Sequence, residues 1–273
     1  MYKITIDNMD LKQIAESGQC FRWKQIEEKD NTYKYNIAAF GKSLDISQKG
    51  NEFELSCDEA EWENIWRDYF DLDTDYGQIA DKINMSDDDH LKLAYSKGSG
   101  VRILKQDLWE MVVTFMISQN NNIPRITKSV ELLCERSGIK TDNGKGYAFP
   151  KPGQIPEEIF EDRSMGFGYR ADYLREIYAF AKANPDWLDN LRKLSYDDAM
   201  NNLLERKGIG KKVANCICLF GLHHVEAFPI DTHVKQLLEE HYSDGFDFDR
   251  YEGVAGIIQQ YLFYYELIKG RER

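Results

Sequence analysis

Lys212 is the residue of this 273-residue chain whose setting most suggests covalent chemistry. It follows the turn Gly208-Ile209-Gly210, where one helix ends and a second begins. A lysine at that point is a candidate amine nucleophile. Cys216 lies four residues on and shares its helix face, so a thiol accompanies the amine. Asp231 lies in Ala227-Phe228-Pro229-Ile230-Asp231-Thr232-His233, where a loop enters a further helix. It reads first as an N-cap, although Val234 three residues later denies it a full capping box. Capping and catalysis are compatible. A lone lysine is ordinarily a solvated surface residue, so Lys212 needs support from elsewhere in the chain.

The turn itself suggests a ligand. Glycines at 208 and 210 let the backbone turn tightly and approach a partner closely. The helix beginning at Lys211 presents free N–H groups at its start, which suit a phosphate. Arg206, Lys207, Lys211 and Lys212 make four of these seven residues basic. A plain helix–turn–helix corner accounts for the turn equally well.

These residues need elements to position them. Tyr33–Ala39 and Phe53–Ser56 carry strand formers, with Gly41 and Gly50-Asn51 as turns, so the first part reads as β-rich. Glu61–Phe70 has helical spacing and two tryptophans. Gly98-Ser99-Gly100 reads as a linker, which divides the chain into a β-rich domain over residues 1–97 and a helical domain over 98–273. Leu108–Ser118 is apolar nearly all round, the mark of a buried central helix. Gln119-Asn120-Asn121-Asn122 ends it before Pro124. Leu174–Ala183, Tyr196–Glu205 and Gly256–Leu267 read as further helices. Gln259 and Phe263 are four apart on the last of these, so both can face one pocket.

Composition excludes several classes. A hydrophobic content of 42% argues against a disordered chain. The longest apolar runs are too short to span a bilayer, and the start has no apolar signal region. Five cysteines without a Cys-x-x-Cys pair argue against a disulfide framework or a cysteine metal site, and fit reduced thiols in a cytoplasmic protein. The formal net charge of −12 argues against a general polyanion binder. Its distribution softens that conclusion. Residues 1–100 hold 12 Lys+Arg and 21 Asp+Glu, whereas residues 101–273 hold 23 and 26.

Five separated segments, together with these residues, carry a resemblance. They are Gly18-Gln19-Cys20-Phe21-Arg22-Trp23, Tyr69-Phe70-Asp71-Leu72-Asp73, Gln119-Asn120-Asn121-Asn122-Ile123-Pro124-Arg125, Gly166-Phe167-Gly168-Tyr169-Arg170-Ala171, and the hairpin through Asp231. In that order the chain resembles the 8-oxoguanine DNA glycosylase/AP lyase family of helix-hairpin-helix glycosylases. The resemblance implies an α+β fold, with an N-terminal antiparallel sheet domain similar to the TATA-binding protein followed by an all-helical glycosylase domain. It implies that Lys212 forms the Schiff base and that Asp231 is the catalytic aspartate. Cys216 and Phe263 would sandwich a flipped base, Gln259 would read its Watson–Crick edge, and the Gly18 carbonyl would accept its N7 hydrogen. Asn120 and Tyr169 would fill and wedge the gap, Arg125 and Arg170 would hold the orphaned cytosine, and His233 would contact a phosphate. Gly208, Gly210 and Lys211 of the hairpin would bind the DNA backbone.

The expected partner is double-stranded DNA containing 8-oxoguanine opposite cytosine. The expected protein is a monomer with no cofactor, no side-chain metal site and no membrane, located in a prokaryotic cytoplasm and on the nucleoid when bound. Two positions depart from the family pattern. Arg206-Lys207-Gly208 replaces Leu-Pro-Gly, which adds two cations available for phosphate, and Asn215 stands where many relatives have Asp. Two rivals are a monofunctional alkyl-base glycosylase, disfavoured by Lys212 and Gly18, and a noncatalytic DNA-binding hairpin, which needs no Lys212–Asp231 pair. An iron–sulfur endonuclease III relative is disfavoured because no four-cysteine cluster follows the hairpin.

Overall fold

The computed structural model describes residues 1–271. The chain opens with a five-stranded antiparallel sheet of β1 (Tyr2–Thr5), β2 (Trp23–Lys29), β3 (Thr32–Ala39), β4 (Lys42–Lys49) and β5 (Glu52–Leu55), in the order β1-β5-β4-β3-β2. Two-residue turns join β2 through β5. Asp30-Asn31 and Phe40-Gly41 take positive φ at both positions, the backbone that matches strand twist in a hairpin. Helix α1 (Leu11–Glu16) and the helical segment α2 (Glu59–Glu61), a π turn over Trp62–Trp66 and α3 (Arg67–Tyr69) cover one face of the sheet. Leu44, Ile46, Leu55, Trp62 and Trp66 are buried between them.

The rest is helical: α4 (Tyr76–Asn84), α5 (Asp89–Gly98), α6 (Leu108–Ser118), α7 (Ile123–Ser137), α8 (Glu158–Glu161), α9 (Arg170–Ala183), α10 (Trp187–Leu191), α11 (Tyr196–Leu204), α12 (Lys211–Gly221), α13 (Thr232–His241) and α14 (Ala255–Arg271). All residues of α6 are buried, as its all-round apolar pattern requires. It packs against α7, α9 and α12, while α5 packs along α14. Among the described residues no helix is long and apolar enough to cross a membrane. All five cysteines are free and buried.

Packing draws the seam differently from composition. Tyr76, Ile79 and Ile83 of α4, with Leu91 and Ala94 of α5, belong to the helical core. Leu104, beyond the glycines, belongs to the sheet core. Gly100 is not a free hinge. Its carbonyl accepts from Asp10 N at 2.9 Å, its N–H donates to Gln13 Oε1 at 2.8 Å, and Asp10 leaves no room for a Cβ. Glycine serves here for close approach.

Three buried polar ties join the two parts. The Arg22 guanidinium meets Glu110 at 3.0 Å and also donates to the Tyr147 carbonyl. Arg102 donates to the carbonyls of Asn8, Asp71 and Asp7 at 3.0, 2.8 and 3.1 Å. The Gln19 side chain donates to the Arg102 carbonyl and accepts from Leu104 N.

Candidate active site

The hairpin is built as its glycines demand. Gly208 has φ +83°, and a Cβ there would lie 2.5 Å from Tyr173 Cγ. Gly210 has open space where its Cβ would be, and it caps α12 without a side chain. The first N–H groups of α12 are therefore open to an anion. The basic residues divide. Arg206 lies over the Phe180 ring at 4.2 Å and pairs with Glu205 at 2.6 Å, while Lys207 pairs with Glu176. The two cations that replace Leu-Pro are thus engaged with the protein's own side chains, not held out for phosphate. Lys211 and Lys212 remain, on a cleft of about 1600 Å³.

Lys212 is half-buried in the first turn of α12, with Nζ 5.5 Å from the centre of the Phe115 ring. One turn on, Cys216 is buried. Burial pushes its thiol pKa up, the adjacent Lys212 amine pulls it back, and the Asp231 carboxylate raises it. These three residues therefore share one electrostatic neighbourhood although they come from α12 and from the start of α13. Asp231 is the N-cap of α13 and accepts from Val234 N at 2.9 Å. Its other oxygen makes no hydrogen bond or ion pair among the described residues. Capping orients the carboxylate toward the cleft without using both oxygens.

The opposite wall comes from the sheet domain and α14. Gly18 has φ +77°, and a Cβ there would lie 3.2 Å from Phe263 Cε1 and 3.7 Å from Ile123 Cδ1. The loop is held rigidly from behind by the buried Gln19 side chain and by Gln106, which donates to the Gln19 carbonyl at 2.9 Å. Gln259 is 3% exposed. Its amide nitrogen donates to the Pro229 carbonyl at 3.1 Å, and its oxygen accepts from Gln260 Nε2 at 3.0 Å. Gly18 and Phe263 line the cleft, but Gln259 and Cys216 lie behind its surface.

The third wall begins where α6 ends. Asn120 is exposed and takes φ +46°. Tyr169 is 54% exposed and faces the same cleft. Arg125, in the first turn of α7, is exposed on it too, and so is His233 on α13. Arg170 behaves otherwise. It is 5% exposed, and its guanidinium donates to the carbonyls of Gln119, Asn120 and Phe167. The last carbonyls of α6, those of Phe115, Met116 and Ile117, accept from the Ser118, Gln119 and Asn121 side chains, and Arg170 holds the carbonyls of Gln119 and Asn120 that follow. It therefore braces the Asn120 turn and leaves Arg125 as the arginine of the pair that reaches the cleft.

Phe115, Ile230 and Lys235 also line the cleft and were not singled out from sequence. Lys235 follows Asp231 by one helical turn, a spacing that could have flagged it. Phe115 was concealed within the uniformly apolar α6 segment.

Residues 1–112 match the family model described as 8-oxoguanine DNA glycosylase, N-terminal domain. Over 277 residues the chain is 31% identical to the N-glycosylase/DNA lyase of Saccharomyces cerevisiae, an alignment covering 88% of this chain and 70% of that protein. The chain belongs to the 8-oxoguanine DNA glycosylase family. It is also 30% identical to the N-glycosylase/DNA lyase OGG1 of Arabidopsis thaliana, over 86% of this chain and 67% of that one. The Clostridium acetobutylicum 8-oxoguanine glycosylase/lyase, solved in complex with double-stranded DNA containing cytosine opposite 8-oxoG, matches with a TM-score of 0.87 and 32% identity, covering 98% of this chain and 94% of that one. Within this family member Asn215 has a local task. It accepts from the Tyr196 hydroxyl at 2.7 Å and donates to the Lys211 carbonyl at 3.0 Å, tying α11 to the start of α12.

Proposed function

We propose that this chain is a bifunctional DNA glycosylase/AP lyase that excises 8-oxoguanine lying opposite cytosine in duplex DNA and then nicks the strand. The observation that carries this reading is that Lys212, in the first turn of α12, and Asp231, the N-cap of α13, line one cleft and both act on the charge of Cys216 buried behind it. The hairpin N–H groups with Lys211, and His233 across the cleft, grip phosphates. Asn120 and Tyr169 occupy the space left by the extruded base, and Arg125 meets the orphaned cytosine. Because Gln259 and Cys216 lie behind Phe263 and Gly18, the base slot opens by movement of the Phe263 ring as the base enters. The Gly18 carbonyl then accepts the N7 hydrogen that guanine lacks.

The chemistry follows. The Lys212 nitrogen, once it has given up a proton, bonds through its lone pair to C1′ as the N-glycosidic bond breaks, and the base leaves with the electron pair and takes a proton. Asp231 stabilises the positive sugar as this happens. Ring opening gives an imine between Lys212 and C1′. Loss of a C2′ proton then expels the 3′ phosphate, and water releases Lys212. The protein acts as a monomer in a prokaryotic cytoplasm, on the nucleoid when bound to DNA.

Borohydride reduces the imine, so wild-type protein on an 8-oxoguanine duplex should yield a stable protein–DNA adduct. Lys212→Gln should lose the adduct while retaining DNA binding. An adduct that persists in Lys212→Gln moves the nucleophile elsewhere. Faster release of 3-methyladenine than of 8-oxoguanine makes the chain an alkyl-base glycosylase instead.

A further inference from the structure

A second cluster of chemically capable side chains lies where α5, α13 and α14 come together, and of its three members only Glu266 lines the cleft. His90 is the second residue of α5, His241 the last residue of α13, and Glu266 lies three-quarters of the way along α14. One ring nitrogen from each histidine and one oxygen of Glu266 lie within 4.8 Å of one another. We propose that His90, His241 and Glu266 bind a divalent late first-row transition ion, with Zn²⁺ the best match.

The donor chemistry selects the class of ion. Two imidazoles and one carboxylate suit Zn²⁺, and also Ni²⁺ or Cu²⁺, whereas Mg²⁺ and Ca²⁺ favour all-oxygen sets. His90 Nε2 is buried and has no hydrogen-bond partner among the described residues. A buried polar nitrogen left unpaired is costly, and a missing ion is one explanation for it.

Two features must yield when the ion enters. The His90 and His241 rings stack with centroids 3.7 Å apart and planes 16° from parallel, so they must tilt for their lone pairs to converge. Lys269 Nζ lies 2.7 Å from Glu266 Oε1 and occupies the carboxylate as a competing cation. Both are changes of side-chain rotamer, not of fold. The ion would stitch α5, α13 and α14 together. Asp231 caps α13, and Gln259 and Phe263 stand on α14, so the site joins the two helices that frame the base slot.

The test uses the full chain after dialysis against a chelator. Zn²⁺ is titrated by calorimetry and by thermal unfolding, and Co²⁺ is added as a spectroscopic probe. Wild type should bind one equivalent of Zn²⁺ with a saturable rise in Tm, and Co²⁺ should show the visible bands of low-coordinate nitrogen and oxygen ligation. Losing an outer-shell partner already costs about 10–100-fold in metal affinity, so His90→Ala and His241→Ala should each weaken Zn²⁺ at least tenfold. Both should keep wild-type circular dichroism in the chelator. Lys269→Gln removes the competitor and should tighten binding. Two results overturn the proposal: no binding by either wild type or Lys269→Gln, or undiminished binding by both histidine variants, which would locate the ion elsewhere.

Discussion

Gln260 bears on the residue that the family resemblance implies reads the base. Gln259 would do so through an acceptor oxygen facing the base's N1–H and exocyclic N–H donors. Gln260 donates to that same oxygen, and Pro229 accepts from the nitrogen, so the Gln259 amide cannot flip. Gln260 itself is 3% exposed, and its own oxygen is buried without a partner. Gln260→Leu should therefore leave stability within about 1 kcal/mol of wild type, because it also removes an unsatisfied polar atom. Single-turnover excision of 8-oxoguanine should fall roughly tenfold, the equivalent of one lost neutral hydrogen bond. Its ratio to 8-oxoadenine excision should narrow. An unchanged ratio would show that Gln260 does not orient the reader. At this scale the motifs placed Lys212, Asp231, Asn120 and Tyr169 on one cleft because each occupies a short contiguous segment. The role of Arg170 was not legible. Its acceptors are the backbone carbonyls of Gln119 and Asn120 after α6 and of Phe167 before α9, and no side-chain pattern advertises carbonyls. Nor was the cluster of His90, His241 and Glu266, whose members are separated by most of the helical domain.

At the scale of elements, the hairpin works because its turn is both tight and pressed against α9. Gly208 meets two independent obstacles to substitution. Its φ of +83° strains any L side chain, and Tyr173 already fills the Cβ position. Gly208→Ala should cost about 1–3 kcal/mol in denaturant unfolding. It should also weaken DNA binding by displacing the first turn of α12, and with it Lys212. Gly210→Ala meets no neighbour and has an ordinary φ, so its stability should stay within about 1 kcal/mol of wild type. Its loss of DNA affinity should therefore stand alone in a paired binding and unfolding measurement. Equal destabilisation by both substitutions would contradict this division. Helix α6 was read to the residue, because an apolar run ending in Gln and Asn leaves little freedom. The domain seam was not. Gly98-Ser99-Gly100 has linker composition, but its glycines serve close packing, and α5, against which α4 packs, is held by α14 far along the chain.

At the scale of the whole molecule, the two parts depend on each other through buried charge. Arg22 and Glu110 are under 10% exposed and meet at 3.0 Å across the seam. Removing one partner strands the other, so Glu110→Ala should cost about 3–5 kcal/mol, and a paired Arg22→Met, Glu110→Leu change should recover most of it. The distribution of the remaining charge governs the encounter with DNA. The net charge is −12, yet the cleft carries Arg125, Lys211, Lys212 and Lys235 on its walls. Arg206 and Lys207, which composition would add to this set, are tied to Glu205 and Glu176. Lys235 pairs with Glu239 at 3.7 Å, and Lys212 is proposed to act at C1′. That leaves about two cations and the hairpin N–H groups to neutralise phosphates, each cation contributing about −0.9 to the slope of log K against log salt. The expected slope for an undamaged duplex is about −2, well short of the roughly −10 of a protein with many phosphate contacts. Fluorescence anisotropy over a salt series measures it directly. Lys211→Gln should flatten the slope by about one, whereas Lys207→Gln should leave it unchanged, because that ammonium already has a carboxylate partner. A steep wild-type slope, or a Lys207→Gln effect equal to that of Lys211→Gln, would mean that the Glu176 pair opens on binding and that the hairpin presents its full cationic set to DNA.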